Sequence, residues 1–279
     1  MALALTSCMS RVASTDIEYQ TVDAGVAYSA VEALTYREPH ARIAYGNDPL
    51  QHGLLWLPKE QAGSARSADK APVVVLIHGG CWLNAYDINH TYALSTALAQ
   101  AGYAVWSLEY RRSGDAGGGW PGTYQDVLAG INHIEQLQNY PIDNGRFVIV
   151  GHSAGGHLAL LAGRETPAAS AVVGLAAITD IIAYAAGSNS CETATARFMG
   201  GTPQEMPADY AAANPADHTT HATTLLLHGG SDALVSVNQA LLVGARTLFV
   251  ESAGHFDWVH PGTRSFNVLL STLQSVLAE

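Results

Sequence analysis

Charge is scarce in this 279-residue chain: Asp, Glu, Lys and Arg make up 13% of it, and Lys59 and Lys70 are the only lysines. Basic residues never cluster beyond the pair Arg111-Arg112, and the formal net charge is -11. Surfaces that bind nucleic acid need grouped Arg and Lys to meet phosphates, so no nucleic-acid partner is expected. An acidic surface also disfavours anionic polymers and membranes, while neutral small molecules are unaffected. Long apolar runs are missing too. None approaches the ~18 residues that cross a bilayer, so no membrane span is expected. Cysteine is equally sparse. Cys8, Cys81 and Cys191 stand alone, too few for a disulfide framework, and no C-x-x-C spacing suggests zinc.

The first residues carry no basic leader and are shorter than a working signal peptide. Yet Leu5-Thr6-Ser7-Cys8 resembles the cleavage box of a bacterial lipoprotein, in which the cysteine becomes the acylated first residue. Two locations therefore stay open: the bacterial cytoplasm, with Cys8 incidental, or export to the periplasm as a lipoprotein, with this stretch a remnant. In the second case Cys81 and Cys191 could pair in an oxidising compartment. Such a pair requires their Cα atoms to lie within about 7 Å. The oligomeric state is not readable.

What is present is apolar: 48% of residues are hydrophobic and the mean hydropathy is +0.10, as a large buried sheet requires. Residues 1–20 are unpatterned and read as a tail, and 21–279 as one α/β domain. Short strand-like stretches at Val31–Tyr36 and Gly53–Leu57 come first, then a polar loop from Gln61 to Lys70. After it strands and helices alternate. Strands are expected at Pro72–Ile77, Tyr103–Leu108, Arg146–Val150, Ala171–Ala176, Thr224–His228 and Thr247–Glu251. Helices are expected at His90–Ala101, Thr123–Gln138, Ser153–Gly163 and Thr263–Ala278. Such alternation predicts a mostly parallel sheet with helices on both faces and ligands at the carboxyl ends of its strands. Residues 181–222, rich in Gly, Pro, Asn and Ser, break the rhythm and are a candidate for a small cap.

Gly151-His152-Ser153-Ala154-Gly155 matches G-x-S-x-G, with a buried strand before it and a helix after it. A serine on so sharp a turn is strained, and its neighbours must be small. Ser153 is therefore the expected nucleophile. Serine needs a base and the base an orienting acid, which follow in the order Ser, Asp or Glu, His. Asp232 lies just past the strand Leu225–His228 and is the expected acid, with Asp180 the second candidate. His255, in Glu251-Ser-Ala-Gly-His255-Phe-Asp257, is the expected base, with Asp257 shaping its loop. Amides of Ala154 and of Gly80 and Cys81, in His78-Gly79-Gly80-Cys81-Trp82, would stabilise an oxyanion. His78 reads as structural. Trp82 and Trp120, with Tyr86, Tyr184 and Phe198, are candidates to line a pocket, though each could equally pack in the core. His218, His221 and His228 do not form H-E-x-x-H, so no metal is expected, nor any cofactor.

With these residues in view, the chain resembles the esterase and kynurenine formamidase-like branch of the α/β-hydrolases, from about Tyr45 to Phe266. The resemblance rests on Tyr45-Gly46, Asp48-Pro49, the HGGCW loop from His78 to Trp82, Glu109-Tyr110-Arg111-Arg112, Gly119-Trp120-Pro121-Gly122, Gly151-His-Ser-Ala-Gly-Gly-His157 and Gly254-His255-Phe256-Asp257. It implies the α/β-hydrolase fold, the HGGxW form of oxyanion loop, and Ser153, Asp232 and His255 as a triad. The segment between Asp232 and His255 is short for that branch. The expected activity is hydrolysis of a small carboxylic ester through an acyl-serine. A formyl amide hydrolase using the same groups, or an inactive hydrolase fold that only binds, are the alternatives.

Overall fold

The computed structural model describes residues 16–59 and 70–278. The Leu5–Cys8 box, most of the 1–20 tail and nearly all of the Gln61–Lys70 loop lie outside the described residues. The run Ala71-Pro-Val-Val-Val-Leu-Ile77 forms strand β3 (Ala71–Ile77), where Val73, Val75 and Ile77 face one apolar cluster and Val74 and Leu76 the other. Alternate side chains of a strand point to opposite faces, so an uninterrupted apolar run needs cover on both.

That cover defines the architecture. The other strands are β1 (Ala41–Ala44), β2 (His52–Trp56), β4 (Ala104–Leu108), β5 (Ile142–His152), β6 (Ala171–Leu175), β7 (Thr224–Gly229) and β8 (Ala245–Val250). They form one sheet in the order β1-β2-β4-β3-β5-β6-β7-β8. Only the β1–β2 and β2–β4 pairs are antiparallel. Helices α2 (Tyr92–Gln100) and α8 (Arg264–Leu277) press Leu94, Leu98, Leu269 and Leu273 onto one face. On the other lie α3 (Gly122–Asn132) and α4 (Ala154–Glu165), through Val127, Ile131, Leu158 and Ala162. The 181–222 segment holds α5 (Ile181–Tyr184), α6 (Ser190–Met199) and α7 (Pro207–Ala213), which bury Tyr184, Phe198 and Tyr210 on that same side.

Several expectations shift. The stretch Val31–Tyr36 is not a strand: helix α1 (Tyr28–Glu32) occupies its start, and Val31 is the one buried residue of α1. Alanines and a glutamate favour helix here, and there is no alternating apolar face for a sheet to use. The edge strand β1 went unpredicted because half its positions are exposed and it is only four residues long. The helix expected to reach Gln138 ends at Asn132 and tightens into a 3-10 turn over His133–Gln136. Between β7 and β8 the described chain forms only a 3-10 turn, Val237–Ala240. The shortness of that segment leaves Leu241, Val243 and Phe249 exposed.

The described part of the expected tail is docked. Ile17 exchanges hydrogen bonds with the Gln100 amide side chain at 2.9 Å each, and the Val22 amide donates to the Gly262 carbonyl at 3.0 Å. The fully buried Asp257 carboxylate accepts from the amides of Gly25, Val26 and Gly254. Hydrogen bonds to a buried charge carry about 1.5–3 kcal/mol each at most, and the arm can rehydrate when freed. Asp257→Ala should therefore lower stability by about 2–3 kcal/mol and open residues 16–32 to limited proteolysis. An unchanged urea midpoint and an intact arm under protease would contradict this.

Candidate active site

The candidate catalytic residues gather at the carboxyl ends of β3, β5, β7 and β8. β5 runs into Ser153, whose backbone sits at φ 56°, ψ -121° before α4 begins at Ala154. A left-handed serine is costly by about 1–3 kcal/mol, and close packing holds it. The Ser153 amide donates to the Leu175 carbonyl at 2.8 Å. A Cβ at Gly155 would run into the carbonyl oxygens of Ile77 and His78, so only glycine lets α4 start this close to β3.

β7 ends at Gly229, and three residues later the Asp232 carboxylate is fixed from both sides. Its Oδ1 accepts from the amides of Leu234 and Val235, each at 2.8 Å. Its Oδ2 meets His255 Nδ1 at 2.7 Å. Burial pushes the Asp232 carboxyl up, but the His255 contact and the two amides outweigh it and hold it below its ordinary value. Asp180, the other candidate acid, instead caps α5 by accepting from the Ala183 amide. His255 opens a 3-10 turn, His255–Val259, after β8. Ser153 and His255 line the same cavity of about 140 Å3. A wider and more open groove of about 370 Å3 lies between β8 and α8, and none of these groups reaches it.

The β3 end supplies the amides. Gly80, Cys81 and Trp82 all have positive φ, at 112°, 52° and 55°. The amides of Gly80, Cys81 and Ala154 find no acceptor among the described residues, as groups kept free for a ligand oxygen would be. Beneath this loop His78 Nε2 meets Glu109 Oε1 at 3.1 Å, and Arg112 approaches the same oxygen at 3.3 Å. Glu109 also accepts from the amides of Ile88 and Tyr110. Burial raises the Glu109 carboxyl, yet His78 and Arg112 beside it bring it down to about 2.

Cys81 and Cys191 form a disulfide, with Cα atoms 5.0 Å apart. It joins the loop after β3 to the first turn of α6 and lines the cavity. Two pocket candidates are corrected. Trp82 is wholly buried, because its left-handed backbone turns the indole into the core. There it stacks on Phe198 at 4.8 Å. Trp120 is tied by its amide to the Phe198 carbonyl and stacks on Tyr124, away from the cavity. Tyr184 and Phe198 are core residues as well. Tyr86 does line the cavity, with Tyr28 and Phe256 beside it. The Tyr28 ring lies 5.7 Å from Tyr86 and 5.3 Å from Phe256.

Sequence reasoning missed His152 and Tyr28 and gave Glu109 and Arg112 no role. His152, the free position of the G-x-S-x-G motif, donates from Nε2 to the His255 carbonyl at 3.0 Å. Burial drives its imidazole well below the usual value, so it is neutral and acts as a donor on one nitrogen only. Tyr28 comes from the N-terminal arm, which no motif covers. Glu109 and Arg112 were in view as a motif without a role; charged residues directly after a buried strand were the available signal. His218 and His228 each bond to a backbone carbonyl, and His221 Nδ1 accepts from the Thr223 amide, so the three rings are engaged separately.

A family model described as BD-FAE matches residues 62–246 of the chain. The chain belongs to the BD-FAE family. Esterase LipC of Mycobacterium tuberculosis is 27% identical to this BD-FAE chain over 71% of it and 52% of LipC. The uncharacterized peptidase YtmA of Bacillus subtilis is 27% identical over 52% of the chain and 58% of its own length. The BD-FAE chain thus spans little more than half the length of these curated relatives. Esterase B from Lactobacillus Rhamnosis superposes with a TM-score of 0.74 over 90% of both chains at 22% identity. The fold is that of the α/β-hydrolases.

The Glu109 pairing carries a pH signature. A carboxyl lowered from 4.5 to about 2 on folding gives stability that is whole above 4.5 and drains as pH falls toward 2. Glu109→Gln should cost about 3–5 kcal/mol at pH 7, because His78 and Arg112 lose their buried partner. It should also flatten the acid loss of stability seen by urea unfolding between pH 6 and 2. Parallel acid profiles for the two proteins would refute the assignment.

Proposed function

We propose that this BD-FAE chain hydrolyses small carboxylic esters through an acyl-serine. The observation that carries the reading is the 2.7 Å Asp232–His255 contact, which opens on the same cavity as a serine at φ 56°. In this reading Ser153 Oγ attacks the ester carbonyl carbon while His255 Nε2 takes the hydroxyl proton. Asp232 holds the imidazole by Nδ1 and offsets the charge it gains. The amides of Gly80, Cys81 and Ala154 receive the oxyanion. Collapse of the tetrahedral intermediate breaks the bond to the alcohol, which leaves with the proton from His255. Water, deprotonated by His255, then attacks the acyl carbon and frees the acid and Ser153.

Residues 181–222 act in this reading as a small cap, since Ser190 and Cys191 of α6 line the cavity. A cavity of about 140 Å3 walled by the disulfide and Leu234 suits short acyl groups. The peptidase name of one relative favours a second reading, cleavage of a small amide by the same groups. The ratio of kcat/KM on p-nitrophenyl acetate and on N-formylkynurenine separates the two.

Ser153→Ala should lower kcat on p-nitrophenyl acetate by at least ~10^4-fold, and Asp232→Asn by about 10^3–10^4-fold. A fluorophosphonate should label Ser153 in the wild type. Wild-type turnover in Ser153→Ala would overturn the reading. Acetate should exceed octanoate at least ~10-fold in kcat/KM, a gap of about 1.4 kcal/mol; equal rates would mean that the bridge does not bound the acyl site.

A further inference from the structure

The loop that would receive the oxyanion is held in an unfavourable conformation. Cys81 and Trp82 are consecutive L-residues at φ 52° and 55°, and each left-handed residue of this kind is disfavoured by about 1–2 kcal/mol. Gly80 precedes them at φ 112°, and a Cβ there would strike the Tyr86 side chain. Left to itself such a turn relaxes, and relaxation swings the Gly80 and Cys81 amides away from Ser153.

Backbone bonds from the Leu83 amide to the Gly80 carbonyl and from the Ser113 amide to the Trp82 carbonyl hold the base of the turn, and two side-chain anchors from α6 hold its Cys81-Trp82 tip. Phe198 stacks on Trp82 from the core side at 4.8 Å with the planes 9° apart. Cys191 bonds covalently to Cys81 on the cavity side. The anchors are seven residues apart, two turns of one helix, and so share a face. The first turn of α6 is itself fixed. Asn189 accepts from the amides of Cys191 and Glu192, and Glu192 closes the capping box. The Asn189 side chain also donates to the Leu234 carbonyl at 3.0 Å, and the Leu234 amide donates to Asp232. A continuous path therefore runs from the oxyanion amides through the disulfide to the carboxylate that holds His255.

We propose that the Cys81–Cys191 disulfide is a positioning device that keeps the oxyanion amides in register with Ser153 and His255. The proposal rests on the ester hydrolase reading. Reduction converts the bridge to two thiols with two electrons and two protons supplied by dithiothreitol, which itself closes to a cyclic disulfide. The amides then remain present but are no longer held in place. The expected loss is about 10–100-fold in kcat, smaller than the 10^2–10^3 of deleting a donor outright. KM for an acetyl ester, the acyl group least limited by the bridge, should change little, because the oxyanion exists only in the transition state.

The test compares wild type, Cys191→Ser and the double variant Cys81→Ala/Cys191→Ala, with wild type also measured after reduction in the folded state and after reoxidation. Free thiols are counted in each sample, and far-UV circular dichroism follows the fold. Supporting results are a drop in kcat at near-constant KM, a matching fold-loss of affinity for a trifluoromethyl ketone, and unchanged affinity for the methyl ketone of the same shape. Recovery on reoxidation completes the support. Full kcat and ketone affinity with the thiols free would overturn it, as would a change confined to KM. A wild type that is oxidised, folded and inactive on every ester would instead sink the hydrolase reading.

Discussion

The site depends on how closely the start of α4 can approach the end of β3. With no side chain at residue 155, the helix rests against the carbonyls of Ile77 and His78. That contact places Ser153, at the head of the helix, beside the loop that follows β3. The parallel register of Ile77 with Gly151 then brings both strand ends level. Asp232 and His255 reach the same edge because β7 and β8 continue the parallel order outward from β5. A larger residue at 155 would part the nucleophile from the amides without touching either. The strain at Ser153, Cys81 and Trp82 is tolerable only because this packing leaves the backbone no easier path.

The parts of the fold and candidate site that were legible in the sequence are those with local signals. Ser153 was marked by small neighbours within five positions, and Asp232 and His255 by their place just after apolar strands. Helices α2, α3, α4 and α8 lie where strand-helix alternation expects them. What escaped depends on contacts and backbone angles that the local pattern of residues does not show. The disulfide spans 110 positions and needs the 181–222 segment to fold over the HGGCW loop. Trp82 could face a cavity or the core equally well until its backbone angle is known. The strand β1 exists because β2 pairs with it, not because its own residues alternate cleanly between apolar and polar.

Buried charge in the site is arranged to be stationary. Glu109 is held by His78, Arg112 and two amides, and Asp232 by His255 and two amides. Neutral His152 links the strand carrying Ser153 to the backbone of His255. The two carboxylates are satisfied by fixed partners instead of water, and such groups stabilise developing charge without reorganising first. The family match covers residues 62–246 and so includes Ser153 and Asp232. His255 and Tyr28 lie beyond it.

The docked N-terminal arm gives the molecule a mechanical load path. Two residues after His255, Asp257 grips the backbone at Gly25 and Val26. Any pull applied ahead of residue 16, by a fusion partner or an anchored surface, would travel along the arm to that grip. The first part of the site to feel the force would be the turn that carries the proposed base.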